Sequence, residues 1–358
     1  MSELYSSVEL TAFCESVAKA AGFSTHDAAI LGQCLVDAEL RGIGSHGLVH
    51  LQLHIEELER KLVNAQPNVR VEKDSGAVVV LDGDCALGQR LALEATELAI
   101  ERAKRHGIAS VGVRNSGSIG VAGYFPLRAA DKGLIGFVLQ NTVAHLAPPG
   151  AVDKLVGNNP FAFALPAGDV PIVLDIACSS VARANLIMAA KNKEKIPSDW
   201  AIDSEGHPTD DPQKALLGAL VPFAGHKGYG LAFVLGLLSG PLLGMDDKVF
   251  THTMFFPRPK GFGVLVVVID ISHFVEPDVY RAGVNEWLSR LRSARLAPNT
   301  ADPLRFPGER SHQLKQQRLK EGIPLSHAIV NDMAGLARKF GCRFPEPVRT
   351  PEKTIARS

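Results

Sequence analysis

Hydrophobic residues recur at helical spacing along residues 1–65 and predict three helices there. The first begins after Ser6, which opens a Ser-x-x-Glu capping-box pattern, and it stops at Gly22. The second begins after Ser24 and ends at Gly42, where glycine lets the chain leave the helix. The third begins near Ser45 and carries an apolar stripe formed by Leu48, Leu51, Ile55, Leu58 and Leu62.

From about residue 70 the pattern changes to short apolar strands that alternate with helices. The strands are predicted at AVVVLDGD, IASVGVRN, LIGFVLQN, FAFALP, PIVLDIA and GFGVLVVVIDIS, and the helices at LALEATELAIERAKRHG and YFPLRAADKG. Charged helices return after about residue 281. This order is typical of an α/β fold with a mixed sheet. We expect a central α/β domain at 71–280 and a helical lobe in which 1–70 packs with 281–358.

Composition narrows the class of protein. Lys+Arg and Asp+Glu are both 38, and no basic or acidic stripe indicates nucleic acid or a charged membrane surface as a partner. The five cysteines include no CxxC pair, which argues against a disulfide framework and a zinc knuckle. MSELYSSVEL lacks a signal-peptide pattern, and LAFVLGLLSGPLLGM is too short to span a membrane and predicts a buried helix. We expect a cytoplasmic protein.

The stretch RGIGSHGLVH places His46 between Ser45 and a glycine. If Ser45 is the N-cap, His46 lies in the first helical turn, where the helix dipole disfavours imidazolium and lowers the pKa of the ring. A neutral imidazole of this kind can exchange a proton with a substrate oxygen. The alternative is a turn histidine bonded to the backbone.

Two further histidines, His50 and His54, follow His46 at four-residue intervals and share one helical face with it. Stacked imidazoles can hold a metal ion. The segment has no HExxH pattern, however, so we expect no metal site and interpret His50 and His54 as residues that line a cleft or an interface.

The stretch VGVRNSGSIGVAGYF predicts a strand, a glycine-rich turn and a helix. Gly117, Gly120 and Gly123 allow the backbone to approach a ligand closely, and Ser118 can donate a hydrogen bond. The spacing does not match the GxGxxG pattern of a Rossmann crossover.

The stretch PIVLDIACSSVA predicts a strand that ends in Asp175 and is followed by Ala177, Cys178, Ser179 and Ser180. Small side chains with free N–H groups at a helix start suit a pyrophosphate. Asp175 could orient a catalytic histidine, or it could cap the next helix.

The stretch LVPFAGHKGYGLAFVLGLL sets His226 and Lys227 among glycines at the start of a helix, which suits a phosphate, although an exposed lysine at a helix cap gives the same pattern. FPGER at 306–310 is a polar turn whose glycine can approach a ring or a phosphate.

Taken in order, these stretches resemble the malate/L-lactate dehydrogenase family of NAD(P)-dependent oxidoreductases. This group lacks the Rossmann fold and includes ureidoglycolate, sulfolactate and diketogulonate enzymes and Δ1-piperideine-2-carboxylate reductases. The resemblance covers residues 10 to about 340 and depends on ELRGIGSHGL, LDGDCALGQ, NSGSIGVAGYF, LVGNNPFAFALP, IVLDIACSSVA, AIDSEGHPTDDP, PFAGHKGYGLA and FPGER.

The resemblance implies a homodimer, a small carboxylate substrate and an NAD or NADP cofactor that lies extended across the mixed sheet. It implies that His46, with Ser45 and Asp175, is catalytic and that His50, Ser118 and Asn141 bind substrate. The implied cofactor contacts are Gly120, Asn159, Asp175, Ile176, Ala177, Cys178, Ser179, Ser180, His226, Lys227, Pro307, Gly308 and Glu309.

Two positions depart from the family pattern. Ser118 stands where the family often has histidine, and His50 stands where it often has an arginine that suits a substrate carboxylate. Neither replacement is conservative, because histidine lacks the guanidinium fork and serine is not an acid near neutral pH. We interpret both positions as determinants of substrate specificity.

Three functions remain open at this stage. The first is a dehydrogenase or reductase of a 2-oxo/2-hydroxy acid. The second is a reductase of a cyclic imine such as Δ1-pyrroline- or Δ1-piperideine-2-carboxylate. The third is a nucleotide-binding protein without catalysis. Cofactor titration followed by a turnover screen separates the last from the other two.

Overall fold

The computed structural model describes residues 3–245, 261–299 and 302–348. The chain forms two compact units, Met1–Glu56 with Ser311–Ser358, and Glu57–Arg310. Residues 57–70 and 281–310 therefore group with the α/β unit, whereas the sequence pattern placed them with the terminal helices. Each unit is described separately.

The terminal unit is mainly helical. Its elements are β1 (Glu3–Tyr5), α1 (Ser7–Ala21), α2 (Thr25–Leu40), most of α3 (Val49–Glu59), most of α10 (Glu309–Glu321), β13 (Ile323–Leu325) and α11 (His327–Phe340). Strands β1 and β13 pair antiparallel, so the two ends of the chain meet in one small sheet. Buried leucines of α1 and α2, such as Leu10 and Leu31, fill the core of this unit.

The three helix starts that the sequence predicts in this unit have different outcomes. The hydroxyl of Ser24 accepts a hydrogen bond from the Asp27 N–H at 3.0 Å, as an N-cap does. The third helix begins at Val49 and not near Ser45, because Gly47 has non-helical angles (φ −89°, ψ −138°) that interrupt the chain. Ser6 precedes α1, but its side chain makes no capping bond.

A seven-stranded mixed sheet forms the centre of the second unit. Its strands are β2 (Arg70–Asp74), β3 (Val78–Asp82), β4 (Ile108–Ser116), β5 (Ile135–Gln140), β8 (Phe161–Leu165), β9 (Ile172–Ile176) and β12 (Phe262–Ile269). The order across the sheet is β2-β3-β4-β12-β5-β8-β9. Among the described strand pairs of this seven-stranded sheet, β3 and β4 are parallel and the other pairs are antiparallel. The sheet is therefore not the parallel sheet of a Rossmann fold.

A second, four-stranded sheet consists of β6 (Ala144–Leu146), β7 (Val156–Gly157), β10 (Ala201–Ile202) and β11 (Ala219–Leu220). The helices of the unit are α4 (Gly88–His106), α5 (Tyr124–Ala130), α6 (Arg183–Asn192), α7 (Pro212–Leu217), α8 (His226–Ser239) and α9 (Pro277–Ser293). The expected α/β class with a mixed sheet is confirmed.

Strand β12 lies in the middle of the large sheet and separates two cores. Val264, Val266 and Val268 are fully buried in one core, with residues of α4 and α5. Leu265 and Val267 pack in the other core, which includes residues of α8. This alternation is the two-residue period of a strand that is covered on both faces.

The apolar stretch after residue 225 forms a helix as predicted, α8, but it is not fully buried. Phe233, Val234 and Leu237 are 46%, 51% and 44% exposed in the single chain. They lie along one face of the helix at the spacing of successive turns. The remaining faces of α8 supply the buried Ala232 and Leu235.

Candidate active site

His46 lies in a short 3-10 turn, Gly44–His46, and not in the first turn of an α-helix as the sequence suggested. The hydroxyl of Ser45 lies 3.0 Å from His46 Nδ1, so Ser45 holds the ring and does not cap a helix. Burial, followed by the nearby charge of His54, lowers the pKa of His46 below its usual 6.5. The imidazole is therefore neutral at pH 7.

Glu39, a residue of α2 that the sequence patterns did not indicate, stabilises this turn by a hydrogen bond. Its carboxylate is almost fully buried and accepts a hydrogen bond from the Leu48 N–H at 3.0 Å. A Cβ at Gly47 would overlap the same carboxylate, so only glycine leaves room for it. Burial raises the pKa of Glu39, although the Leu48 bond and the charge of Arg318 oppose this rise. The sequence signal that could have indicated Glu39 is an acidic residue just before Arg41 and Gly42 in ELRGIGSHGL.

The three histidine rings are neighbours, but only His50 and His54 lie on α3, so the three do not share one helical face as the sequence suggested. The ring centroids of His46 and His50 are 4.9 Å apart, and those of His50 and His54 are 6.2 Å apart. His54 is buried. Among residues 3–245, 261–299 and 302–348, no group of three or more histidine, cysteine or acidic side chains is arranged to hold a metal ion.

In the second unit, the loop of NSGSIG is held by Gln140, another residue that sequence reasoning missed. The buried side chain of Gln140 accepts a hydrogen bond from the Ile119 N–H at 3.2 Å and donates one to the Gly117 carbonyl at 2.9 Å. These two bonds bracket Ser118, which is half-buried. Gly120 adopts a positive φ of 72°, which favours glycine. The sequence signal that could have indicated Gln140 is a polar residue at the end of the apolar strand LIGFVLQ.

Asp175 lies near the end of edge strand β9. Its Oδ2 accepts a hydrogen bond from the Gly123 N–H at 2.8 Å, at the N-cap position of α5. A Cβ at Gly123 would lie 2.8 Å from this oxygen, so glycine permits the approach. Asp175 thus bonds to the N-cap residue of α5, which precedes it in the chain, and does not cap the next helix, α6, as the alternative interpretation expected. Its catalytic role stays a prediction.

The segment after Asp175 differs from the expected row of free N–H groups at a helix start. The Cys178 N–H donates to the Asn158 carbonyl at 2.7 Å, and the Ser180 N–H donates to the Val221 carbonyl at 2.8 Å. Helix α6 begins only at Arg183. These two N–H groups are consequently engaged with the protein backbone.

Side chains in the same segment have different environments. Burial raises the pKa of the Cys178 thiol to about 12, so this cysteine is unreactive. The hydroxyl of Ser179 is buried and has no hydrogen-bond partner among the described residues. Ile176 and Ser180 are exposed, and Ala177 is half-buried.

Asn141 and Asn159 are both fully buried, but they differ in how many of their side-chain atoms have a hydrogen-bond partner. The amide of Asn159 is fully engaged, because its oxygen accepts from the Thr142 N–H at 3.0 Å and its nitrogen donates to the Ala232 carbonyl at 2.7 Å. The oxygen of Asn141 accepts from the Gly263 N–H at 2.8 Å. The side-chain nitrogen of Asn141 has no partner within the described ranges.

The remaining predicted contacts lie on exposed turns. His226 and Lys227 are the first two residues of α8, and both are exposed. Gly225 before them has a φ of 60°, and a Cβ there would meet open space.

The FPGER turn lies against β9. The Pro307 carbonyl accepts a hydrogen bond from the Val173 N–H at 2.9 Å, and a Cβ at Gly308 would lie 2.9 Å from Val173. Glu309 begins α10, and its carboxylate accepts from the Phe306 N–H at 3.3 Å. The second unit thus brings this turn to the strand that carries Asp175.

Comparison with known proteins covers almost the whole chain. The model of the malate/L-lactate dehydrogenase family matches residues 5–334. The chain is 33% identical to a malate/(S)-sulfolactate dehydrogenase of Methanothermus fervidus, over 90% of this chain and 93% of the relative. It is also 33% identical to a (2R)-3-sulfolactate dehydrogenase (NADP(+)) of Chromohalobacter salexigens, over 94% and 99% of the two chains. A ureidoglycolate dehydrogenase (NAD(+)) of Escherichia coli is 32% identical, over 85% and 87%.

Solved structures give the same result. The malate dehydrogenase of Pyrococcus horikoshii superposes with a TM-score of 0.86 at 31% identity, over 95% of this chain and 96% of that one. The Δ1-piperideine-2-carboxylate reductase of Pseudomonas syringae superposes with a TM-score of 0.84 at 26% identity, over 94% and 100%.

We expect Gly47→Ala to destabilise the terminal unit, because the added methyl group would displace the Glu39 carboxylate from its bond to Leu48. Loss of a buried hydrogen bond to a charged group costs roughly 1.5–3 kcal/mol. Urea unfolding measures the change in free energy. Gly44→Ala is the matched control, since its Cβ would lie 3.5 Å from the same carboxylate, an ordinary contact. Equal stabilities for the two variants would contradict the assigned support of the turn.

Proposed function

The chain belongs to the malate/L-lactate dehydrogenase family, and on that premise we propose that it transfers hydride between a nicotinamide dinucleotide and a small 2-oxo or 2-hydroxy carboxylic acid. The family match over residues 5–334 carries this proposal. Relatives named as malate, sulfolactate and ureidoglycolate dehydrogenases support an acid with an oxygen at the second carbon.

The residues of the second unit fit a dinucleotide. Ser179 presents a buried hydroxyl that lacks a partner among the described residues, and a buried polar group of this kind calls for a ligand or water. Lys227 adds a positive charge at the start of α8, where helix N–H groups favour a phosphate. We assign the further contacts to Gly120, Asn159, the segment 175–180, His226 and the turn 307–309. The relatives include users of NAD and of NADP, and we propose one of these two cofactors.

The nicotinamide ring, when bound, supplies or accepts the hydride. His46 exchanges the proton: in the oxidising direction its neutral imidazole accepts the proton of the substrate hydroxyl, and in the reducing direction imidazolium donates it to the oxygen. Ser45 at 3.0 Å occupies Nδ1, which leaves Nε2 for the substrate. Asp175 is the catalytic carboxylate of the proposal, and its bond to Gly123 fixes one of its oxygens.

Substrate recognition is assigned to His50, Ser118 and Asn141. Ser118 is presented by a loop whose backbone Gln140 holds on both sides of it, and its hydroxyl can donate a hydrogen bond to the substrate. Asn141 offers an amide nitrogen without a partner in the described residues. The replacements at positions 50 and 118 support a substrate that differs from those of relatives with arginine and histidine there.

A second candidate, a reductase of a cyclic imine carboxylate, is favoured by one observation, the likeness to the Δ1-piperideine-2-carboxylate reductase. Three relatives with dehydrogenase names support the first candidate better. Turnover of 2-oxo acids and cyclic imines, each with NADH and NADPH, decides between the two. Cofactor binding without turnover of either class would leave a nucleotide-binding protein.

We also propose a cytoplasmic homodimer. The exposed apolar face of α8 supports the dimer, because a helix that is apolar on all faces is normally buried. The five cysteines are free, which suits a reducing compartment. Among the described residues, no helix is both long and apolar enough to cross a bilayer.

We expect His46→Ala to lower kcat by roughly 10²–10⁴, the usual contribution of a general acid or base, while the Kd of the reduced cofactor stays unchanged. In the wild type, kcat/KM for oxidation should rise with pH through a pKa below 6.5, because the neutral imidazole is the active form. For reduction it should fall through the same range. His327→Ala, an exposed histidine of α11, is the control. Normal kcat in His46→Ala would refute the assignment.

We expect Lys227→Ala to weaken cofactor binding, because a charge-assisted contact to phosphate is lost. The loss of roughly 1.5–3 kcal/mol raises the Kd tenfold or more, as fluorescence titration with reduced cofactor measures. Lys214→Ala replaces an exposed lysine on α7 and should leave the Kd unchanged. If the cofactor Kd of Lys227→Ala equals that of Lys214→Ala, the assignment of Lys227 to the cofactor site is wrong.

We expect the wild type to sediment as a dimer and Val234→Lys with Leu237→Lys to shift it towards monomer, because the two charges would be buried in the interface. Analytical ultracentrifugation over a range of concentrations measures the change. Val8→Lys, which alters an exposed valine on α1, should leave the assembly intact. A monomeric wild type would refute the dimer.

A further inference from the structure

Three basic residues lie on segments that adjoin β11 in the second unit. His145 lies on β6, which is in register with β11 through the pair Leu146 and Leu220. Lys154, in the next loop, donates a hydrogen bond from Nζ to the Leu217 carbonyl at 3.2 Å, two residues before β11. Arg183 begins α6, three residues after Ser180, whose N–H is bonded to the Val221 carbonyl. None of the three is among the contacts that the family resemblance implies.

The positive charge of this cluster is not balanced by acidic groups. In the described part of the chain, neither Arg183 nor Lys154 forms an ion pair, and the Arg183 side chain makes no hydrogen bond. Asp153, the neighbour of Lys154 in sequence, is exposed. Burial lowers the pKa of Arg183, and burial together with the charge of Arg183 lowers that of Lys154. A half-buried guanidinium without an acceptor is unfavourable unless something else supplies one.

The position of Arg183 increases this imbalance. It is the first residue of a ten-residue helix, where the helix dipole is positive and repels a cation. The N-cap residue is Ala182, whose side chain makes no capping bond. Four residues before Arg183, the buried hydroxyl of Ser179 has no partner among the described residues. A basic cluster, an uncapped helix start and an unpartnered hydroxyl occur together within one short stretch of chain.

We propose that His145, Lys154 and Arg183 form a binding site for an anionic group, a carboxylate, sulfonate or phosphate. Arg183 provides the planar fork that suits such groups, and Lys154 adds a point charge. The proposal deepens the proposed function and rests on it, because Ser179 is an assigned cofactor contact. The anion has two possible sources: the second acid group of a dianionic substrate, or a phosphate of the dinucleotide.

His145 reports on the site without any catalysis. Burial, with the charges of Arg183 and Lys154, lowers the pKa of His145 to about 4. A bound anion favours imidazolium and should raise this pKa. We expect sulfate to raise the pKa of His145 in NMR titrations of the full chain, with the signal assigned by His145→Gln. The sulfate effect should disappear in Arg183→Leu and persist in Lys191→Ala, which removes an exposed lysine from the same helix.

Kinetics and cofactor titration then identify the source of the anion. If the substrate supplies it, Arg183→Leu should raise KM for malate at least tenfold and leave KM for lactate unchanged. If the cofactor supplies it, the Kd of the dinucleotide should rise at least tenfold, for NADPH alone when the 2′-phosphate is bound and for NADH as well when the pyrophosphate is bound.

Two outcomes separate this proposal from the proposed function. If sulfate leaves the pKa of His145 unchanged in the wild type, and Arg183→Leu alters neither the malate-to-lactate ratio nor a cofactor Kd, the anion site is refuted. If sulfate acts through Arg183 but no acid or imine is turned over, the anion site stands and the proposed activity fails.

Discussion

Strand β12 pairs with β4 on one side and β5 on the other, and this double pairing fixes the loops of the second unit. Phe262 is in register with Ser116, and Val264 with Gln140. Both neighbours therefore end opposite the start of β12. The loop with Ser118 leaves one of them, and the segment with Asn141 leaves the other. Because both faces of β12 are packed, a one-residue shift of register would move its side chains into the opposite core, so the packing of the two cores holds the ends of the neighbouring strands.

Glycine at position 263 extends the same constraint to α8. A Cβ there would overlap the carbonyl of Ser239, the last residue of the helix, so the helix can approach β12 only at a glycine. The backbone of Gly263 also bonds to both the backbone and the side chain of Asn141. One residue of the central strand thus contacts both the last residue of α8 and the asparagine assigned to substrate.

Periodicity predicted most of the elements because each depends on local spacing. The strands around β3, β4, β5, β8, β9 and β12 and the helix α8 were found in this way. The sequence could not predict the start of α3, since that start depends on the close fit of Gly47 to Glu39, a residue of another helix. Nor could it predict that the N–H groups of Cys178 and Ser180 are bonded, because their partners lie on distant segments.

In the candidate site, too, the sequence indicates the residues that belong to local motifs but not the residues that stabilise those motifs from other elements. The motifs located His46, Asp175 and Lys227, whose chemistry depends on residue type and on the immediate turn. Glu39 holds the turn of His46 and Gln140 holds the loop of Ser118, each by a bond from a different element of its own unit, so the periodicity of the motifs does not indicate them.

Net charge is also a poor guide to local charge. The totals for the chain balance at +0, yet Arg183 and Lys154 have no counter-ion among the described residues. A protein that folds with an uncompensated cation or an unpartnered buried amide gives up stability at that point. Asn159 and Asn141 illustrate the difference, since both are fully buried but only Asn159 has partners for both atoms of its amide. Two of the buried polar atoms without a partner among the described residues, the Asn141 nitrogen and the Ser179 hydroxyl, lie just after the ends of β5 and β9. Both atoms belong to residues that the proposed function assigns to ligands, and a bound polar group would supply the partner that the protein does not.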